Sequence, residues 1–349
     1  DGEKLLLDVM EKNKDNKLLD GVTAFKLYDT YGFPLELTCE IAEESGYQVD
    51  VQGFDEEMKK QRERARNARE DVESMSSQSA DLMAFTQDSK FIGYDERTCD
   101  AQVIALFKDG KQVDAISDEG DIILDTTVFY AESGGQIGDS GSFIEEGCLH
   151  VGSKLQLAVD NKKRDIITSN HSCTHLLQSA LKKVVGNHIQ QAGSFVSDEY
   201  LRFDFTHFEK VSVQQLKEIE QLVNRFISEH HPVSKVEMPI EEAKQSGATA
   251  LFDEKYGDVV RVVTMGDVSK EFCGGCHVNN TQEIGICKII SEESIGSGIR
   301  RITAKTGYSA YEEFAAEEKT LRHIADDLKM KSIVNVDTKV EQVLHENAQ

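Results

Sequence analysis

The sequence predicts a multidomain α+β protein: an N-terminal helical segment, a small antiparallel β-barrel-like domain, an α+β domain and a C-terminal helical segment. Three observations predict it. The chain has 349 residues, enough for two or three hydrophobic cores rather than one. Its apolar rhythm is helical to about residue 72, strand-like from Phe91 and mixed from Asp165. A polar, Ser-rich stretch separates the first two regimes. The expected boundaries are 1–72, a linker at 73–90, then 91–164, 165–308 and 309–349.

Taken in order, Val22 to Pro34 carries a helical apolar rhythm that Gly32 and Pro34 stop. A second helix is expected from Asp55, a good N-cap, through Glu70. Lys59, Arg62, Arg66 and Arg69 lie three, four and three apart on it, so four cations share one face. That face could contact phosphates or simply be solvated, because Glu56, Glu57, Glu63 and Glu70 are interleaved.

Ala101–Phe107, Gln112–Ile116 and Ile122–Tyr130 read as strands separated by Asp-Gly and Glu-Gly turns, hence an antiparallel domain of barrel type. The stretch Phe129-Tyr-Ala-Glu-Ser-Gly-Gly-Gln-Ile-Gly-Asp-Ser-Gly141 reads as a tight, irregular turn. Its backbone could approach a ligand, though turn geometry alone accounts for the glycines.

From Asp165 a helix is expected, capped by Ser169 or Asn170 and carrying His171, His175, Leu176, Leu177 and Leu181. Gly193–Ser197, Leu201–Phe205 and Val259–Thr264 read as strands, and Ser212–Ser228 as a helix. The last forty residues read as helical, with Leu321, Ile324 and Leu328 as a packing stripe.

Composition excludes some classes. No apolar run approaches the roughly 18 residues that span a bilayer. Seven cysteines, an odd number scattered over a long chain, argue against a disulfide framework and for a reducing, cytoplasmic setting. Lys and Arg number 39 against 63 Asp and Glu, a formal charge of −24. A nucleic-acid partner would therefore need a local basic patch. The chain starts at Asp1 and ends within a helical pattern, so both ends are expected to be cut from something longer.

The chemistry concentrates in two short clusters. In His171-Ser-Cys-Thr-His175 the imidazoles are four apart and face one way on a helix. In Cys273-Gly-Gly-Cys-His277 the glycines allow a sharp turn that lets thiolate and imidazole reach one ion. Joined by the fold, His171, His175, Cys273 and His277 form a donor set suited to one Zn2+ per chain. Cys276 and Cys173 could compete. The Glu of a helical metalloprotease motif is missing, since Ser172 stands there. Four protein ligands suit a structural ion, whereas hydrolysis needs an open or displaceable position.

Asn170-His-Ser-Cys-Thr-His-Leu-Leu177, Gln191-Ala-Gly-Ser194, Leu201–Phe205, Ala250–Gly257, Glu271-Phe-Cys-Gly-Gly-Cys-His277 and Gly298–Ile302 together resemble the editing domain of alanyl-tRNA synthetases. Leu27–Pro34 resembles the end of that family's helical tRNA-recognition region, and Phe129–Gly141 its β domain. The resemblance implies a fragment of a bacterial-type enzyme: the end of the tRNA-recognition helices, the β domain, a zinc-containing editing domain and a truncated C-terminal helix. It implies His171, His175, Cys273 and His277 as zinc ligands, and hydrolysis of serine or glycine wrongly esterified to tRNA(Ala). The whole enzyme would ligate alanine to its tRNA with ATP.

A second hydrolytic site has a physical rationale. An alanine pocket discriminates poorly against glycine and serine, by roughly 10–200-fold for one small group. An editing pocket must then hydrogen-bond what alanine lacks. Gln191 matches a family position lining that pocket, with Thr174 and Asp204 as further candidates. No residue stands out as general base. Lys162, Lys163, Arg164, Lys182, Lys183, Arg300 and Arg301 are the basic groups expected to meet phosphates.

The chain departs from the family pattern at Cys276, where Thr is usual, at Cys173, where a small apolar residue is usual, and in a shorter 141–159 stretch. Nothing resembles the class II motifs that bind ATP and alanine, so this chain is not expected to aminoacylate. Oligomerisation is expected to depend on a missing C-terminal region. Two other functions fit the same residues: a tRNA-binding module with a purely structural zinc, and a zinc hydrolase of a small ester or amide.

Overall fold

The computed structural model describes residues 6, 9–10, 17–31, 35–60, 80–144, 147–250 and 256–347. Helices α1 (Gly21–Tyr31) and α2 (Leu35–Glu44) pack around Leu6, Ala24, Leu27, Ala42 and Phe54, which share one buried cluster. Residues 51–60 are already helical at Asp55. The cap is Asp50 instead, whose Oδ1 accepts from Gly53 N at 2.9 Å. Lys59 is exposed, whereas Arg62, Arg66 and Arg69 lie outside the described residues.

The β domain is an open sheet, which corrects the expectation of a barrel. Its strands are β1 (Thr98–Lys108), β2 (Lys111–Val113), β3 (Asp121–Leu124), β4 (Gly141–Phe143) and β5 (Lys154–Val159), ordered β2-β1-β5-β4 with β3 also on β1. The long β1 is shared along its length: Thr98–Gln102 pair with β5, and Val103–Lys108 with β2 and β3. At the far end β4 has three residues and pairs with β5. Among the described residues nothing joins β4 back to β2 or β3, so the sheet does not close. Alternation still buries one face, with Ala101, Val103, Leu124, Leu155, Leu157 and Val159 in one cluster.

The following domain is α+β. Helix α3 (Asn161–Val184) lies against an antiparallel sheet of β6 (Gln191–Val196), β7 (Leu201–Thr206), β11 (Cys287–Gly296) and β12 (Ile299–Thr306), ordered β6-β7-β12-β11. A second sheet holds β8 (Val233–Pro239), β9 (Val259–Met265) and β10 (Ser269–Phe272). Helix α4 (Val213–Ser228) packs on α3 through Ile219, Val223 and Phe226 and starts with a Ser212–Gln215 capping box.

Helix α3 begins earlier than its apolar rhythm suggests. Asp160 caps it, accepting from Lys163 N at 3.1 Å, and Asn170 lies buried mid-helix. The polar first turn hides the start, because its inward residue is a charged one, Arg164, 2% exposed.

The C-terminal part is two helices, α6 (Gly307–Asp327) and α7 (Val336–Asn347), with α5 (Ile240–Gln245) earlier in the chain. Lys329 and Asn335 adopt positive φ at the break. The expected stripe does not pack as a whole: Leu321 is exposed and Ala325 is the buried position. Among the described residues no helix is long and apolar enough to cross a membrane.

Candidate metal centre

His171 and His175 project from one side of α3, a helix turn apart. Cys273 and His277 come from the loop that leaves β10. The ligand atoms of these four residues all lie within 4.8 Å of one another. Cys273 Sγ sits 3.4 Å from His171 Nε2 and 3.2 Å from His277 Nε2. Tetrahedral zinc, with Zn–S about 2.3 Å and Zn–N about 2.0 Å, separates such atoms by roughly 3.5 Å. One sulfur and three imidazole nitrogens at this spacing fit zinc.

Burial opposes ionisation of Cys273, yet the adjacent imidazoles of His171 and His277 hold its thiol well below the usual range. That favours the thiolate, the form that ligates. Burial pushes His277 well below the ordinary histidine range, which keeps its lone pair free. For His175, burial is outweighed by the Glu271 carboxylate and the Cys273 sulfur, and its pKa rises to about 9.

The two spare thiols do not join the cluster. Cys173 points into the core with Leu176 and Leu177, because two residues on from His171 is the opposite side of the helix. A hydrogen bond with Cys287 and burial both push its thiol well up. Cys276 is 3% exposed, and burial raises its thiol as well.

A cleft of about 40 Å³ opens beside the donors, lined by Gly134, Thr174, Gln191, Ser194, Thr249 and Glu271 among others. Gln191 Nε2 donates to Ser194 Oγ at 3.3 Å. Thr174, which lines the cleft, donates its hydroxyl hydrogen to Asn170 O at 2.9 Å. Asp204 does not line this cleft. Its carboxylate is held by Arg301, with Nε donating at 2.7 Å and Nη2 at 2.9 Å.

Sequence reasoning missed Glu271, a cleft carboxylate whose Oε2 lies 3.5 Å from His175 Nδ1 and whose Oε1 accepts from Ser269 Oγ at 2.7 Å. Strand alternation, two residues from Cys273, was the available signal. It also missed Gln136, from the glycine-rich stretch, whose Oε1 lies 2.7 Å from His171 Nδ1.

A family model described as tRNA synthetases class II (A) matches residues 1–189, more than half of the chain. The chain belongs to that family.

The match to residues 1–189 conflicts with the expectation that the class II aminoacylation core is absent from the chain. A second model, the threonyl and alanyl tRNA synthetase second additional domain, matches residues 260–303, a stretch that includes Cys273 and His277. An alanine–tRNA ligase of Bacillus anthracis is 48% identical over 358 residues, 94% of this chain and 41% of the relative. Those of Bacillus mycoides and Bacillus velezensis are 46% and 45% identical over 99% of the chain, covering 43% and 44% of their own lengths. The chain thus spans about two-fifths of the length of the curated relatives it matches.

Of the seven basic residues expected to meet phosphates, four are engaged by carboxylates. Arg164 is buried against Asp139 and so is withdrawn from any phosphate, which corrects its place in the expected patch. Arg300 is clamped by Glu292 and Arg301 by Asp204, while Lys163 lies 3.8 Å from Asp198. Lys162 and Lys183 remain exposed.

Proposed function

We propose that this chain hydrolyses the ester of aminoacyl-tRNA, acting on serine or glycine wrongly attached to tRNA(Ala). It would do so within a longer alanine–tRNA ligase that couples alanine to its tRNA with ATP in the cytoplasm. The supporting observation is a preformed donor set of one cysteine and three histidines in the wall of a small cleft that presents Gln191, Thr174 and Glu271.

Zinc held by His171, His175, Cys273 and His277 would polarise an ester carbonyl or a water. Gln191 offers an amide to the serine hydroxyl that alanine lacks, which separates the two esters by a hydrogen bond. Thr174 accepts rather than donates, since its own hydrogen goes to Asn170. Glu271 is placed to take the proton of an attacking water, and the narrow cleft limits the side chain admitted. Asp204 contributes through Arg301, by fixing the sheet behind Gln191. Lys59, with Arg62, Arg66 and Arg69, would meet tRNA phosphates. Arg300 and Arg301 would need to exchange a carboxylate for phosphate.

The test is deacylation of seryl-tRNA by purified, zinc-loaded protein, with a small-ester control. Hydrolysis of seryl-tRNA that Gln191→Ala slows supports the reading, and seryl-tRNA as stable as in buffer removes it.

A second reading has its own observation. Three of the four donor residues are buried, as in closed sites where zinc braces the fold. In that case the chain is a tRNA-binding module, and the same assay shows binding without turnover.

A further inference from the structure

We propose that Gln136, contributed by the β domain, is a positioning residue of the metal centre. It fixes the His171 tautomer that presents Nε2 to the ion, so the β domain orients a donor set that lies outside it. The proposal rests on the zinc reading of the cluster.

Gln136 is fully buried and sits in the glycine-rich loop ahead of β4. Its Oε1 lies 2.7 Å from His171 Nδ1 and 2.8 Å from Cys276 N. A backbone N–H can only donate, so the amide atom facing Cys276 is the oxygen and the side-chain orientation is settled. An oxygen there can only accept from His171, so Nδ1 carries the hydrogen. The remaining nitrogen, Nε2, then keeps its lone pair, and Nε2 is the atom that faces Cys273 Sγ.

One oxygen atom therefore joins the two halves of the donor set. His171 belongs to α3, and Cys276 belongs to the loop that carries Cys273 and His277. Gln136 is itself held from both sides: Val196 N donates to Gly135 O at 2.7 Å, and Ile137 N donates to Val196 O at 3.0 Å. Gly134 and Gly135 take φ of +59° and +81° to make that approach.

The β domain grips the same loop again, since Tyr94 Oη donates to Gly274 O at 2.5 Å. Arg261, stacked on the Tyr94 ring at 4.0 Å, donates to the carbonyls of Cys273 and Gly275. The remaining amide atom, Gln136 Nε2, has no hydrogen-bond partner although buried. An unmatched donor is unfavourable, and a methionine would fill the space without one. The glutamine is explained by what its oxygen does.

The test uses the whole chain and two readouts. Zinc affinity is measured by chelator competition for the parent, Gln136→Met and Gln136→Glu. The Met variant, which keeps the bulk and loses the acceptor, should bind zinc about 10–100-fold more weakly. The Glu variant, which keeps an acceptor for both N–H groups, should stay within a few-fold of the parent. Histidine ¹⁵N correlation spectra of the zinc-free protein should show His171 with hydrogen on Nδ1 in the parent, and lose that preference in Gln136→Met.

Equal zinc affinity in the parent and the Met variant overturns the proposal, as does equal weakening by Met and Glu. If the Met variant does not fold, the parent spectrum decides alone: hydrogen on His171 Nε2 overturns the proposal. A parent that binds no zinc removes the metal reading, while the tautomer readout still judges Gln136.

Discussion

Arg164 Nε donates to Asp139 Oδ1 at 2.7 Å, in a pair whose side chains are only 2% and 1% exposed. The same guanidinium donates to Gly93 O at 2.7 Å and Val128 O at 3.0 Å, and Asp139 Oδ2 accepts from Tyr130 N. A charge in the first turn of the metal-bearing helix thus ties that helix to the glycine-rich loop. Removing one partner strands the other without water. Arg164→Met should cost about 3–5 kcal/mol in unfolding free energy. Denaturant titration checks it, and a cost no larger than that of an exposed ion pair would rule out this role.

Gly275 has no room for a side chain. A Cβ there would lie 2.0 Å from His171 Cε1 and 2.9 Å from Gln136 Oε1. Gly275→Ala should displace His171 and lower bound zinc well below one per chain while circular dichroism stays unchanged. Full zinc content by elemental analysis would show that the loop can give way.

Glu271 faces both His175 and the cleft. Glu271→Gln keeps the shape and removes the charge, so seryl-tRNA hydrolysis should fall about 10²–10⁴-fold with zinc retained. An unchanged rate would leave this carboxylate with a packing role.

Metal removal should be visible in stability. With zinc at about a thousand times its dissociation constant, the unfolding free energy should rise by about 4.1 kcal/mol over the zinc-free protein. Cys273→Ala should abolish most of that response. A parent whose thermal midpoint ignores both zinc and chelator contradicts the donor set.

Much of the fold was legible wherever periodicity and capping agree. Ser212 with Gln215 marks α4, and alternation marks Leu201–Thr206 and Val259–Met265. Legibility failed where a charged residue points inward, as Arg164 does at the start of α3. It failed again where closure of a sheet depends on pairing between distant strands, as between β4 and β2.

By itself the sequence determined the two ligand-rich clusters, because His-x-x-x-His on a helix puts two imidazoles on one side and Cys-Gly-Gly-Cys-His allows a sharp turn, each by local geometry. Only the tertiary structure decided that the four donors meet while Cys276 stays out of the cluster, buried with its backbone N–H on Gln136 Oε1. Only it brought Glu271 against His175 and Gln136 against His171, 35 residues away in the chain. Those pairings follow from how separate cores dock, and no local spacing encodes that.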